Sequence, residues 1–138
     1  MSRIFVDTSF YVALLDDTDD LHDLANAALD ELYSSEATEF VTSDFILAEV
    51  LTFFSRHGSR QRLLALELVR RVLAEGAITC VPASHDLVER SIKHYASRID
   101  KPYSLIDCSS MVICRDLRIR EVLTHDHDFA QEGLTIRL

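Results

Sequence analysis

The sequence predicts an α/β fold, a mainly parallel sheet with helices packed on both faces. Three observations predict it. Short apolar runs that read as strands alternate with longer segments of helical periodicity, which is the pattern of βαβ units. The runs close on Asp, Ser or Pro, residues that end a strand or cap the helix after it. Only 3 Gly and 2 Pro occur in 138 residues, so an ordered chain is expected.

The elements follow in order. Ile4-Phe5-Val6 stops at Asp7 and reads as a buried strand. Thr8 or Ser9 can cap a helix that runs through Leu15. Asp16, Asp17, Asp19 and Asp20 form an acidic loop. Leu21, Ala25, Ala28, Leu29 and Leu32 then share one face of an amphipathic helix. Phe40-Val41-Thr42 is a strand, and Ser43 caps a helix to about Arg56, with Gly58 as its stop. A fourth helix covers about Arg60–Glu75 and ends at Gly76. Ile78–Val81 is a strand closed by Pro82, and Ser84 caps a helix to about Arg98. Pro102 breaks the chain. Ser104 caps a sixth helix to about Arg115, and strands follow at Val122–Thr124 and Leu134–Ile136.

The length fits one domain over residues 1–138, able to bury roughly 68% of its unfolded surface. No apolar run approaches the ~18 residues of a membrane span. Met1-Ser2-Arg3 has no apolar stretch behind it, so a signal peptide is not expected. Cys80, Cys108 and Cys114 are odd in number and lack Cys-x-x-Cys spacing. That pattern points to reduced thiols in a cytoplasmic protein. The net charge of −9 speaks against a simple nucleic-acid binder. The charge is uneven, however: residues 1–50 hold 12 acids and only Arg3, while residues 51–138 hold 13 bases and 11 acids.

Ligands of open α/β sheets bind beyond the carboxyl ends of the strands. Asp7 ends the first strand, and Asp126 follows Val122–Thr124 by two residues. Turn chemistry alone accounts for an isolated Asp at such a place, but two strands deliver carboxylates to one edge. Glu49 lies in Phe45–Phe54, where eight of ten residues are apolar, so burial nearly all round is expected. A buried carboxylate demands a partner, either a metal or an arginine such as Arg56 or Arg60. It sits roughly 7 Å along its helix, near the same edge. Asp107 fits the third position of a Ser104 capping motif as well as a ligand role.

Asp7, Glu49, Asp107 and Asp126 are therefore the candidate catalytic acids, with Asp7, Asp107 and Asp126 as metal ligands. Asp128 can replace or assist Asp126. Oxygen donors suit a hard cation, Mg²⁺ or Mn²⁺. His125 and His127 have no further His or Cys at ligand spacing, which disfavours zinc. The acidic loop lacks the Gly and Glu of a calcium loop, and no phosphate-binding Gly loop or Gly-x-Ser-x-Gly elbow occurs. Clustered carboxylates with a divalent cation suit in-line attack at phosphorus. Arg56, Arg60, Arg62, Arg70 and Arg71 offer five positive charges in 16 positions, and Arg115, Arg118 and Arg120 form a second group. Either a solvated face or phosphate contact explains them. Arg56, Arg60, Arg62 and Arg115 are the candidate nucleic-acid contacts.

Five short motifs carry a resemblance: Phe5-Val-Asp7-Thr-Ser9, Asp20-Leu-His22-Asp-Leu-Ala25, Thr42-Ser-Asp-Phe-Ile-Leu-Ala-Glu49, Ser104-Leu-Ile-Asp107 and Leu123-Thr-His-Asp126-His-Asp-Phe129. With them, in that order, the chain resembles the PIN-domain nucleases, most of all the VapC-type toxins of toxin–antitoxin pairs. The resemblance implies a three-layer α/β/α sandwich, a catalytic quartet at Asp7, Glu49, Asp107 and Asp126, and Mg²⁺- or Mn²⁺-dependent endoribonuclease activity. It implies supporting hydroxyls at Thr8 and Thr124, a homodimer, and a small antitoxin that lays a helix and a basic residue into the site. Ser104 supports the site through its cap. RNA processing without a toxin role is the nearest alternative. A phosphatase of haloacid-dehalogenase type needs Asp-x-Asp, but Ser9 occupies the third position. A non-catalytic interaction module has no use for the intact quartet.

Overall fold

The computed structural model describes residues 2–34 and 37–138. Strand β1 (Ser2–Val6) leads into α1 (Thr8–Leu15) and α2 (His22–Tyr33). Strand β2 (Thr38–Ser43) is followed by α3 (Asp44–Phe54) and α4 (Gly58–Glu75). Strand β3 (Ile78–Val81) is followed by α5 (His85–Ser97) and α6 (Leu105–Leu117). Strand β4 (Glu121–Leu123), a 3₁₀ helix (His127–Glu132) and β5 (Thr135–Ile136) complete the order.

The strands form one five-stranded sheet, β3-β2-β1-β4-β5. Every pairing is parallel, with Phe5 opposite Val41 on one side and Val122 on the other. Parallel sheets bury both faces, so their central strands read as unbroken apolar runs. Ile4, Phe5, Val41, Val122 and Leu123 are accordingly almost wholly buried. The chain steps outward from β1 to β3, then returns past β1 to β4. Right-handed crossovers then put α1–α4 on one face and α5–α6 on the other. The reversal falls between β1 and β4, which opens a crevice beyond their carboxyl ends.

The caps explain most boundaries. Ser43 accepts from Ile46 N–H, Ser84 from Leu87 N–H and Ser104 from Asp107 N–H. Gly76 ends α4 at φ 68°, where a residue with a Cβ is strained. Three expectations need correction. Neither Thr8 nor Ser9 caps α1: Asp7 holds that position and makes no side-chain cap bond, because its carboxylate is engaged across the sheet. Gly58 begins α4 rather than stopping α3. Helix α3 is buried on one face only, with Ile46, Leu47, Val50 and Phe54 inside and Ala48, Thr52 and Phe53 outside. An apolar residue on a helix need not face the core. The 3₁₀ helix was unforeseen. No helix among the described residues is long and apolar enough to cross a membrane.

Candidate active site

Asp7 extends the parallel ladder by one bond, its N–H donating to Leu123 C=O at 3.1 Å. That bond fixes the residue at the β1/β4 crevice. The residue is only 5% exposed. Its Oδ2 accepts from the hydroxyl of Thr124 at 2.7 Å. Thr124 is fully buried, and its Oγ1 also accepts from Asp126 N–H at 3.0 Å. Its one proton is committed to Asp7, so at the 3.2 Å contact with Ser9 the serine must donate. Ser9 Oγ in turn accepts from His125 N–H at 3.0 Å. The end of β1, the start of α1 and the loop after β4 are thus tied by one hydroxyl relay.

Glu49 comes to the same edge from α3, which begins where β2 ends. It is half-buried rather than buried. Its partner is Thr8, whose hydroxyl donates at 2.5 Å. No ion pair to Arg56 or Arg60 is present among the described residues. Asp107 arrives from the opposite face, at the N-terminal end of α6. The capping box is complete: Ser104 N–H donates to Asp107 Oδ2 at 3.0 Å, and Asp107 N–H to Ser104 Oγ at 3.0 Å. Capping and clustering are therefore not alternatives for Asp107.

Carboxylate oxygens of Asp107, Asp126 and Asp128 lie within 4.8 Å of one another. Asp126 and Asp128 share the site, so neither displaces the other. Asp126 Oδ1 accepts from Asp128 N–H at 2.9 Å, which starts the 3₁₀ helix and turns both acids toward Asp107. Asp7 stands beside this trio rather than within it, near enough to be raised by the charges of Asp107 and Glu49.

Burial is the main influence on Asp7, lifting its pKa to about 7 despite the hydrogen bonds from Thr124 and Thr8. Burial also raises Asp107, with the charges of Asp126 and Glu49 adding to it. Asp128 is raised by desolvation and by neighbouring Asp126. Three of the carboxylates, Asp7, Asp107 and Asp128, are thus held above the ordinary carboxylate range. The donors are all oxygen, so the residues fit a hard divalent cation.

The arginines lie farther out. Arg56 and Arg62 line a cavity of about 610 Å³ at the α3–α4 turn, and Arg60 is exposed beside it. Hydrogen bonds from Thr18 hold Asp16 of the acidic loop after α1 below its ordinary pKa, with a smaller contribution from the charge of His57 in that turn. Arg115 is eight residues beyond Asp107, about 12 Å along α6. Ser9 is the functional residue that sequence reasoning did not single out. The signal available was a second hydroxyl directly after a strand-ending Asp, on a helix that is otherwise apolar apart from Tyr11.

The sequence matches the PIN domain over residues 4–132. A curated relative, the 23S rRNA-specific endonuclease VapC20 of Mycobacterium tuberculosis (strain H37Rv), is 29% identical over 133 residues, covering 94% of each chain. The crystal structure of M. tuberculosis VapC20, described as a sarcin-ricin loop cleaving toxin, superposes with a TM-score of 0.81 at 25% identity over 96% of each chain. VapBC2 from Rickettsia felis, solved bound to a promoter DNA fragment, shares the fold with a TM-score of 0.69 at 12% identity, covering 97% of this chain and 96% of that one.

Proposed function

This chain belongs to the PIN-domain family, and from that premise we propose that it is a divalent-metal-dependent endoribonuclease, the toxin of a toxin–antitoxin pair. One observation carries the reading. A buried Asp7 with its pKa near 7 stands beside the Asp107–Asp126–Asp128 trio at the crevice where the strand order reverses. A bound cation would relieve the repulsion within such a group of acids.

Asp107, Asp126 and Asp128 would hold the metal, with Asp7 facing it and Glu49 at the rim. Mg²⁺ or Mn²⁺ bound there supplies Lewis-acid stabilisation of charge at phosphorus and a more acidic water. The chain's own residues supply position. Thr124 orients Asp7, Ser9 orients Thr124, and the Ser104 cap orients Asp107. Thr8 holds Glu49 at the edge of the crevice, where a carboxylate can accept a proton from an approaching water. The named substrate of the M. tuberculosis relative makes a 23S rRNA loop the first substrate to test. A small antitoxin is the proposed partner, and a cytoplasmic homodimer the proposed state. Arg56, Arg60 and Arg62 are offered as outer RNA contacts.

The test compares the wild type with Asp7→Asn, in Mg²⁺, in Mn²⁺ and in chelator, with cleaved RNA ends mapped by sequencing. Discrete ends that need metal and vanish in a folded Asp7→Asn variant are expected. Equal cleavage by that variant would sink the reading.

A further inference from the structure

A second charged feature lies away from the acids. The C-terminal end of α5, the outer half of α6, the start of β4 and the turn after the 3₁₀ helix enclose a cleft of about 480 Å³. Arg98, Arg115, Arg118 and Arg120 line it, against the single acid Glu132. Glu132 is already engaged, by Arg98 Nε at 3.1 Å and the Tyr103 hydroxyl at 3.2 Å. Among the described residues no carboxylate pairs with Arg115, Arg118 or Arg120. Three uncompensated guanidiniums therefore share one cleft in a chain of net charge −9.

Two further facts describe the cleft. Arg118 adopts φ 56° and ψ 39°, a left-handed conformation that glycine takes freely and a side-chain-bearing residue takes at a cost. The position where glycine fits best carries a guanidinium instead. Helical geometry also aligns the cleft with the acids. Asp107, Met111 and Cys114, spaced by four and three residues, share one face of α6, and Arg118 follows as the residue that ends the helix. The last three line the cleft. Asp107 to Arg118 spans about 16 Å of axis. At the near end, Glu132 belongs to the same 3₁₀ helix as Asp128. A peptide carboxylate would satisfy one arginine. A nucleic-acid strand with one phosphate at the acids presents further phosphates at regular intervals, within reach of the cleft.

We propose that the Arg98–Arg115–Arg118–Arg120 cleft is an exosite for the sugar–phosphate backbone of the RNA strand, a few nucleotides from the scissile bond. The proposal rests on the ribonuclease reading and adds where the strand runs. Phosphate contacts position a substrate without reading its sequence. The site therefore governs affinity and salt dependence, not the choice of bond.

The experiment uses the full chain and an RNA carrying its mapped cleavage site, with Arg118→Gly/Arg120→Ala and Arg118→Lys as variants. Glycine suits the left-handed backbone, so the double variant is expected to keep its thermal stability. KM is expected to rise roughly tenfold with kcat within about twofold, and the slope of log KM against log salt to become shallower by about 1.4, two single-strand phosphate contacts being lost. Arg118→Lys is expected to retain wild-type KM, because phosphate accepts a point charge. Unchanged KM and salt slope in the double variant overturn the exosite, as does a KM increase that lysine fails to restore. Loss of antitoxin binding or dimerisation with RNA constants unchanged also overturns it, and assigns the cleft to a protein partner. A wild type inactive on RNA in both metals defeats the ribonuclease reading itself. A cleaving wild type with an unaffected variant defeats only the exosite.

Discussion

Asp7 concentrates the chemistry of the site in one carboxyl group. Its folded pKa of about 7, against an ordinary 3.8, means that the folded chain holds this proton more tightly than the unfolded chain. Stability from this group is therefore full below pH 3.8 and is lost as pH rises through 7. Ionised and without metal, Asp7 costs about 4 kcal/mol. Asp7→Asn removes that cost while keeping an oxygen to accept from Thr124. In chelator at pH 8 it is expected to melt several degrees above the wild type, the gap narrowing at pH 5 and closing only below pH 3.8. Millimolar Mg²⁺ is expected to raise the wild-type melting temperature more than that of the variant, by linkage. Calorimetric melts at both pH values check this, and a wild type equally stable at pH 5 and pH 8 in chelator would contradict it. Thr124 serves the same atom. Thr124→Val keeps the shape but strands Asp126 N–H and frees Asp7, so a loss of about 1–3 kcal/mol in stability and at least tenfold in kcat is expected. Thr124→Ser should restore most of both, measured by denaturant melts and initial rates.

At the scale of elements, the site depends on where helices begin. The Ser104 cap sets both the start of α6 and the direction of Asp107. Ser104→Ala is expected to cost about 1 kcal/mol in urea unfolding and to weaken metal affinity as well, measured by calorimetric titration. An effect on stability with metal affinity untouched would separate the two roles. This cap was legible in the sequence, as were all five strands and six helices. Apolar runs, helical periodicity and Ser caps are local signals, and they agree with the packing. The strand ends also gave away the shared edge of Asp7 and Asp126. Other features escaped for physical reasons. Six residues of 3₁₀ helix carry no periodicity. The half-exposure of Glu49 depends on which face of α3 meets the sheet, and composition cannot say, since Phe53 faces outward. The relay through Ser9 joins residues from opposite ends of the chain. Only the β1–β4 pairing brings them together.

Across the whole molecule, charge is divided by place. Residues 1–50 carry 12 of the 23 acids, in the exposed loop after α1 and along α2, as well as at Asp7 and Glu49. The bases lie later in the chain, on α4 and around the outer end of α6. The site edge without metal is strongly negative and repels phosphate, while the arginines attract it from a distance comparable to the Debye length of about 10 Å at 0.1 M salt. RNA affinity should therefore be conditional on the cation. Anisotropy with labelled RNA and the Asp7→Asn chain, which keeps the Asp107–Asp126–Asp128 trio, is expected to show weak binding in chelator. Binding should tighten at least tenfold in low-millimolar Mg²⁺. Raising monovalent salt at fixed Mg²⁺ should weaken it again, because released counterions drive the contact. The two responses have opposite signs and separate origins. Mg²⁺ acts at the carboxylates, and salt acts at the guanidiniums. A chain that bound RNA tightly in chelator, with no response to Mg²⁺, would show that the acids do not control access and that the charge division has no role in substrate entry.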